Sequence, residues 1–155
     1  MKHFTILILT LLPCAVILLS CSPKVFPVQS CVVVSERSSE LTVRTSGYGK
    51  KKITALDAAE KNAIETLLFR GIPGTQNGSP LVGIDETAAK TEYAGYFDSL
   101  LKNGRHKSFI ISSVPVTDYS WTKYRAWCVT ADVVINVPAL RKDLETQGII
   151  RRFGF

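Results

Sequence analysis

The stretch 127–137 limits what this chain can fold into more than any other. Trp127, Val129, Ala131, Val133, Ile135 and Val137 alternate there with Cys128, Thr130, Asp132, Val134 and Asn136. Successive side chains on a strand point to opposite faces, so this period of two predicts a long strand over 124–137 with one face buried and the other mixed. Such a strand needs neighbours to satisfy its backbone N–H and C=O groups. Three stretches qualify. Residues 31–36 (CVVVSE) and 41–46 (LTVRTS) are rich in Val and Thr and are separated by polar Arg37-Ser38-Ser39-Glu40. They predict a hairpin. Residues 109–116 predict the fourth strand, and Pro115, which has no N–H to donate, marks it as an edge or a bulge.

Two helical stretches lie between the strand pairs. Gly47-Tyr48-Gly49 is expected to break the second strand. Leu56, Ala59, Ala63, Ile64, Leu67 and Leu68 then recur at helical spacing, and Thr54 with Asp57 has the spacing of a capping box. Gly71, Pro73 and Gly74 stop this helix. Ala55, Ala59 and Ala63 would let it lie close against a sheet. Residues 74–79 (GTQNGS) read as a mobile loop. Residues 85–103 read as one second helix, with Asp85 near its start, Gly104 after its end and an apolar side of Ala89, Tyr93, Tyr96, Phe97, Leu100 and Leu101. Pro138 ends the sheet, and 139–147 suits a short amphipathic helix. The order β-β-α-α-β-β with a small terminal helix predicts an α+β domain, its antiparallel or mixed sheet of about four strands carrying two main helices on one face.

The amino terminus follows a different grammar. Lys2 and His3 precede an almost wholly apolar run over 4–19, as in a secretory signal. A membrane-spanning helix needs about 20 apolar residues, whereas this run is shorter, contains Pro13 and has no basic stop beyond it. The run ends in Leu18-Leu19-Ser20-Cys21, which resembles the bacterial lipobox. That resemblance implies removal of 1–20, a diacylglycerol thioether on Cys21 and a further acyl chain such as palmitate. Two or three chains make a stable anchor where one binds only marginally. Ser22 after the lipidated cysteine favours the outer membrane, facing the periplasm or the cell surface. The expected organisation is a signal peptide over 1–20, a lipidated tether over 21–29 with Pro23 and Pro27, a single domain over 30–148 and a basic aromatic tail over 149–155 (IIRRFGF).

Without the signal, 135 residues remain, enough to bury roughly two thirds of the unfolded surface. Eighteen basic side chains then face thirteen acidic ones, a net charge of +5. This balance suits anionic lipid heads, lipopolysaccharide or acidic glycans, or serves solubility alone. Nucleic acid is not an expected partner for a chain exported from the cytosol. Cys14 leaves with the signal and Cys21 carries lipid, so Cys31 and Cys128 remain. An oxidising envelope allows a disulfide between them, and two buried reduced thiols on neighbouring strands fit equally well.

Chemistry-bearing patterns are sparse. His106 is the only histidine of the mature chain and is expected as a solvated side chain in a polar turn, with neither a catalytic nor a metal role. Ser79 after Gly78 lacks the second glycine of a nucleophile elbow. Asp85 and Glu86 at a helix start suit the helix dipole and do not form an acid/base pair. Lys50, Lys51 and Lys52 beside a helix N-terminus offer an anion contact. The nucleotide-binding glycine patterns fail there. No catalytic residue, metal or cofactor is expected beyond the covalent lipid on Cys21.

One family resemblance spans about 41–137. Gly47-Tyr48-Gly49, then Ala55, Ala58, Ala59 and Ala63, and the late strand containing Tyr124, Ala126, Cys128, Val129, Ala131 and Val133 resemble the LPP20-type lipoproteins. They are also similar to the N-terminal domain of flagellar H-ring proteins of the FlgT type. The resemblance implies a strand ending at a Gly-x-Gly turn, an alanine-rich helix packed on the sheet and a role in envelope assembly or as a surface antigen. The leading expectation is a non-enzymatic envelope lipoprotein that docks onto another envelope protein. The alternative is a ligand-binding lipoprotein for glycan, peptidoglycan fragments or lipid, with Tyr93, Tyr96, Trp121 and Tyr124 lining a groove. A small hydrolase is the third and weakest.

Overall fold

The alternating stretch forms one of the two longest strands of the sheet in the computed structural model, which describes residues 26–27, 29–83 and 85–151. The signal run, Cys21, Ser22 and the end of the tail lie outside the described residues. The chain runs β1 (Cys31–Glu36), β2 (Glu40–Gly49), α1 (Lys52–Phe69), α2 (Glu86–Glu92), α3 (Ala94–Phe97), β3 (Ile110–Pro115), β4 (Ser120–Trp121), β5 (Trp127–Asn136) and α4 (Val137–Thr146). A π-helical turn over Asp98–Lys102 and a 3-10 turn over Arg105–Phe109 connect α3 to β3. The class is α+β with an antiparallel sheet. Its order is β1-β2-β5-β3, and β4 pairs with the start of β5.

The period of two decides the faces. Leu41, Val43 and Thr45 of β2 and Val129, Ala131, Val133 and Ile135 of β5 are buried on the inner face. The outer face is mixed: Arg44 Nε donates to Asp132 Oδ1 at 2.7 Å and Ser46 faces Thr130 at 2.9 Å, while Val32 and Val114 are exposed in the same row as Arg44 and Asp132. Strand β3 is an edge with a bulge between Ile110 and Ser112, the position Pro115 requires. Helix α1 supplies Ala59, Ala63, Ile64, Leu67 and Leu68 to the core, and α4 supplies Leu140 and Leu144. Asn136 caps α4 by accepting from the Ala139 N–H at 3.0 Å, and Pro138 occupies its first turn.

Gly47-Tyr48-Gly49 does not break β2. The strand runs on through Gly47↔Val129, Tyr48↔Cys128 and Gly49↔Trp127. The glycines are there for packing. A Cβ on Gly47 would collide with the Ala55 carbonyl oxygen and the Ala59 nitrogen, and one on Gly49 would lie 2.5 Å from the Ala55 nitrogen. Glycines on the strand and alanines on the helix therefore let two backbones meet, as the alanine spacing implied. Thr54 is likewise not the cap. Helix α1 starts at Lys52, and the Thr54 hydroxyl, in the third position, accepts from the Lys51 N–H at 3.0 Å. Inside this seam Asn62 Nδ2 donates to Thr45 Oγ1 at 2.5 Å, which satisfies both buried groups.

The single helix expected over 85–103 is broken. Asp85 caps its start, accepting from Thr87 and Ala88. The backbone then leaves helical geometry at Tyr93, resumes as α3 and widens into the π turn. Gly95 adds little helix propensity beside the break, and the wider turn lets adjacent Leu100 and Leu101 both reach the core. Gly104, at φ +82, ends it. The 74–79 loop is fastened at two points: the Glu36 carboxylate accepts from the Gln76 N–H at 3.1 Å and from Asn77 Nδ2 at 3.2 Å, and Ile72 donates its N–H to the Asn77 carbonyl at 2.8 Å and accepts from the Thr75 hydroxyl at 2.7 Å.

Cys31 and Cys128 are free thiols. Cys31 lies opposite Thr45 and so on the inner side, whereas Cys128 lies opposite Tyr48 on the outer side. Strand β2 stands between their strands, and their partners Thr45 and Tyr48 are offset along it, which puts the Cα atoms at least two strand spacings apart, more than roughly 9.5 Å and too far for a bridge. The disulfide reading is therefore corrected, whereas the reading as two free thiols holds except that their strands are not neighbours and both are only half-buried.

Candidate functional site

Aromatic and basic side chains gather at the end of the sheet where β2 finishes and β5 begins. The Phe26 ring stacks on Tyr48 with centroids 5.2 Å apart, and Tyr124 meets both edge-on at 6.5 and 6.3 Å. On the other side of the same strand ends, Trp121 and Trp127 pack edge to face at 5.5 Å. Trp121 is 57% exposed. Register explains the gathering: Gly49 opposes Trp127, Tyr48 opposes Cys128 and Trp121 opposes Trp127.

The three lysines do not converge on one anion. Lys52 Nζ sits over the Trp127 ring at 5.0 Å and the Tyr119 ring at 5.7 Å. Lys51 precedes α1, and Lys50 borders an apolar recess of about 400 Å³ with Phe26, Tyr48, Gly49, Thr54, Arg125 and Ala126. Lys123 lies over Tyr124 at 5.4 Å. Arg125 is, among the described residues, the one non-glycine with positive φ, +54, in the tight turn between β4 and β5. Five cations and six rings thus share one end of the domain. Burial raises the Tyr48 phenol above its ordinary value, helped by Cys128 and Tyr124 beside it.

The proposed four-ring groove does not form. Tyr93 packs against the core, and the Tyr96 hydroxyl donates to Asp143 Oδ2 at 2.8 Å beside α4. Only Trp121 and Tyr124 belong to the aromatic end. Phe26, Tyr48, Tyr119, Trp127 and Arg125 were missed as partners because their meeting depends on strand register. The signal was the density of rings and cations in 119–127 (YSWTKYRAW) read together with 48–52.

His106 departs most from expectation. It is fully buried rather than solvated. Its Nδ1 lies 3.2 Å from the Leu100 carbonyl oxygen, and a carbonyl only accepts, so Nδ1 carries the proton. Nε2 faces Asp57 Oδ1 at 3.4 Å and Glu60 Oε2 at 3.7 Å, and neither Nε2 nor Glu60 Oε2 has a hydrogen-bond partner. Burial pushes the imidazole below its usual pKa despite the carboxylates. Asp57 would be raised by burial, but hydrogen bonds from Lys61 and Lys107 hold its carboxyl below the ordinary range. The Asp57-x-x-Glu60 spacing places both carboxylates on one side of α1. Asp57 was read from the sequence only as a capping partner and Glu60 was missed, although the i, i+3 spacing was a signal for the pair; nothing signalled the arrival of His106.

Among the described residues no helix is long and apolar enough to cross a membrane. No family model, curated protein or solved structure matches the chain.

Proposed function

We propose that the chain is a non-enzymatic, LPP20-like envelope lipoprotein, an interaction or assembly module whose aromatic and basic end rests on the membrane surface. The observation that carries this reading is the stacking of Phe26 on Tyr48. Phe26 is five residues after Cys21, and five residues reach at most about 18 Å. An acyl anchor on Cys21 would hold this end of the domain at the headgroups. Tyr and Trp favour that layer because their rings are apolar with one polar edge, and each Lys or Arg near an anionic leaflet adds about 1 kcal/mol. Ser22 favours the outer membrane, on its periplasmic or surface side.

The docking side for an envelope protein is the outer face of the sheet. Register aligns Val32, Arg44, Asp132 and Val114 in one row across β1, β2, β5 and β3. Val32 and Val114 are exposed at its two ends, on edge strands, and Ile111 and Val116 add exposed apolar surface near β3. Edges of this kind are where partners pair or cover.

Mass spectrometry of the mature amino terminus tests the anchor. The expected species begins at Cys21 with a diacylglycerol thioether and an amide-linked acyl chain, and Cys21→Ser protein leaves the membrane fraction. An unmodified terminus, or a membrane-bound Cys21→Ser protein, overturns the reading. A photo-crosslinker at Val114 should trap one envelope protein in intact cells. If it traps nothing there while the anchor is present, the docking role fails.

The apolar recess beside Tyr48 favours a second reading, binding of a lipid or glycan fragment. Saturable quenching of protein fluorescence by a short-chain phospholipid or a muropeptide is its signature.

A further inference from the structure

We propose that Asp57, Glu60 and His106 form a structural site for one divalent transition-metal ion, with zinc as the ligand of first choice. The claim is independent of the lipid anchor. The three donor atoms lie within 4.8 Å of one another. His106 Nε2 stands 3.4 Å from Asp57 Oδ1 and 3.7 Å from Glu60 Oε2. Two donors at about 2.0–2.2 Å from a tetrahedral zinc stand about 3.4 Å apart, so the two edges from Nε2 need to close by at most a few tenths of an ångström, and the edge between the carboxylates lies within 4.8 Å.

Two orphaned atoms point to a cation rather than to a plain hydrogen bond. With its proton on Nδ1, neutral His106 presents a bare lone pair on Nε2, aimed at two carboxylates that also offer only lone pairs. Lone pairs facing one another in a buried place repel unless something positive lies between them. His106 has no exposed surface, and both Nε2 and Glu60 Oε2 lack partners.

Each ligand's far atom is already held. The Nδ1–H of His106 donates to the Leu100 carbonyl, Ser113 donates to Glu60 Oε1 at 2.5 Å, and Lys61 Nζ pairs with Asp57 Oδ2 at 2.8 Å. Outer partners of this kind fix the orientation of metal ligands and the tautomer of a ligating imidazole. One cation competes: Lys107 Nζ lies 3.1 Å from Asp57 Oδ1. Its side chain is 56% exposed, so it can swing into solvent as the ion enters over Asp57. The ion would tie α1 to the 3-10 turn that leads into β3. With one histidine and two carboxylates the site suits Zn²⁺, Co²⁺ or Mn²⁺.

The test is titration of chelator-treated full-length protein in detergent with Zn²⁺, read by chelator competition, nitrogen NMR of the histidine ring and thermal unfolding. The expected result is one ion per chain, a coordination shift at His106 Nε2 with Nδ1 still protonated, and a midpoint raised by roughly 8 °C at a hundredfold excess over Kd. Co²⁺ should give a complex with no thiolate charge-transfer band, which separates this site from Cys31 and Cys128. Ser113→Ala, which leaves all three ligands in place, should weaken binding about tenfold, and Glu60→Gln should weaken it more. No uptake at millimolar zinc overturns the proposal. So does uptake that leaves Nε2 unmoved, or that neither variant weakens.

Discussion

Where α1 crosses β2, glycine and alanine bring two backbones together, and the one buried polar pair, Asn62 with Thr45, is matched atom to atom. The layer over 85–109 closes the same core by other means. Short α-helices, a π turn and a 3-10 turn bring large side chains, Phe97, Leu100 and Phe109, to their places, and the layer's buried polar residue His106 is left with an unpartnered nitrogen. The difference teaches where tolerance lies. The seam has no room for a side chain at Gly47 or Gly49, and its Asn62–Thr45 pair is closed. The layer has bends that absorb change and a polar atom free to take up a ligand.

The sharpest way to break this contrast is to add a carbon on each side of it. Gly47→Val would drive a side chain into the backbone of α1, and its expected cost is above about 4 kcal/mol or failure to fold. Gly95→Ala meets no atom within 4 Å and should stabilise by about 0.5–1 kcal/mol. Urea unfolding of the two variants measures both. Similar losses at the two positions would erase the distinction.

Next in size is the polar pair of the seam. Asn62→Leu strands the Thr45 hydroxyl and should cost about 2 kcal/mol, whereas adding Thr45→Val should restore part of it, a coupling that a double-mutant cycle reads directly.

The layer is fastened to α4 by Tyr96, Asp143 and Arg105, with Arg105 Nη2 donating to Asp143 Oδ1 at 2.6 Å. Burial, and then the Asp143 carboxylate, raise the Tyr96 phenol well above its ordinary value of 10. The folded protein therefore keeps this proton to higher pH than the unfolded chain does. The stability it contributes is complete below about pH 10 and is lost as the pH climbs toward the folded value. Tyr96→Phe should cost about 1 kcal/mol near neutrality, allowing for its partial exposure. It should also flatten the alkaline limb of the stability curve. An unchanged limb would place the titration elsewhere.

The last effect is again a gain, as at Gly95. Arg125→Gly relieves a left-handed backbone at the turn before β5 and should stabilise by about 1 kcal/mol. It should also lower affinity for anionic vesicles by about fivefold, one cation's worth.

Regular parts of the fold were readable because strand and helix periods map sequence onto faces. The alternation of 127–137 placed Val129, Ala131, Val133 and Ile135 inside, and Pro115 placed β3 at an edge. Gly47 and Gly49 were read as punctuation because their constraint comes from a helix that packs on them, not from their own dihedrals. The break at Tyr93 was hidden for a related reason. Ala89, Phe97 and Leu100 keep an α-helical period through it, so the sequence gives no sign that the backbone leaves the helix. The candidate sites were half legible. Lys50, Lys51 and Lys52 announced a basic end, but their rings came from register, and His106 in a polar stretch gave no sign that Leu100, Asp57 and Glu60 would enclose it.

The chain carries two tryptophans, Trp121 and Trp127, and both belong to the end that is proposed to meet the membrane. Brominated phospholipids in vesicles bearing the lipidated protein read that placement without a label. The expected result is quenched, blue-shifted tryptophan emission, strongest for bromines near the headgroups and lost in Cys21→Ser protein. Emission that stays unquenched while the anchor is inserted would contradict it.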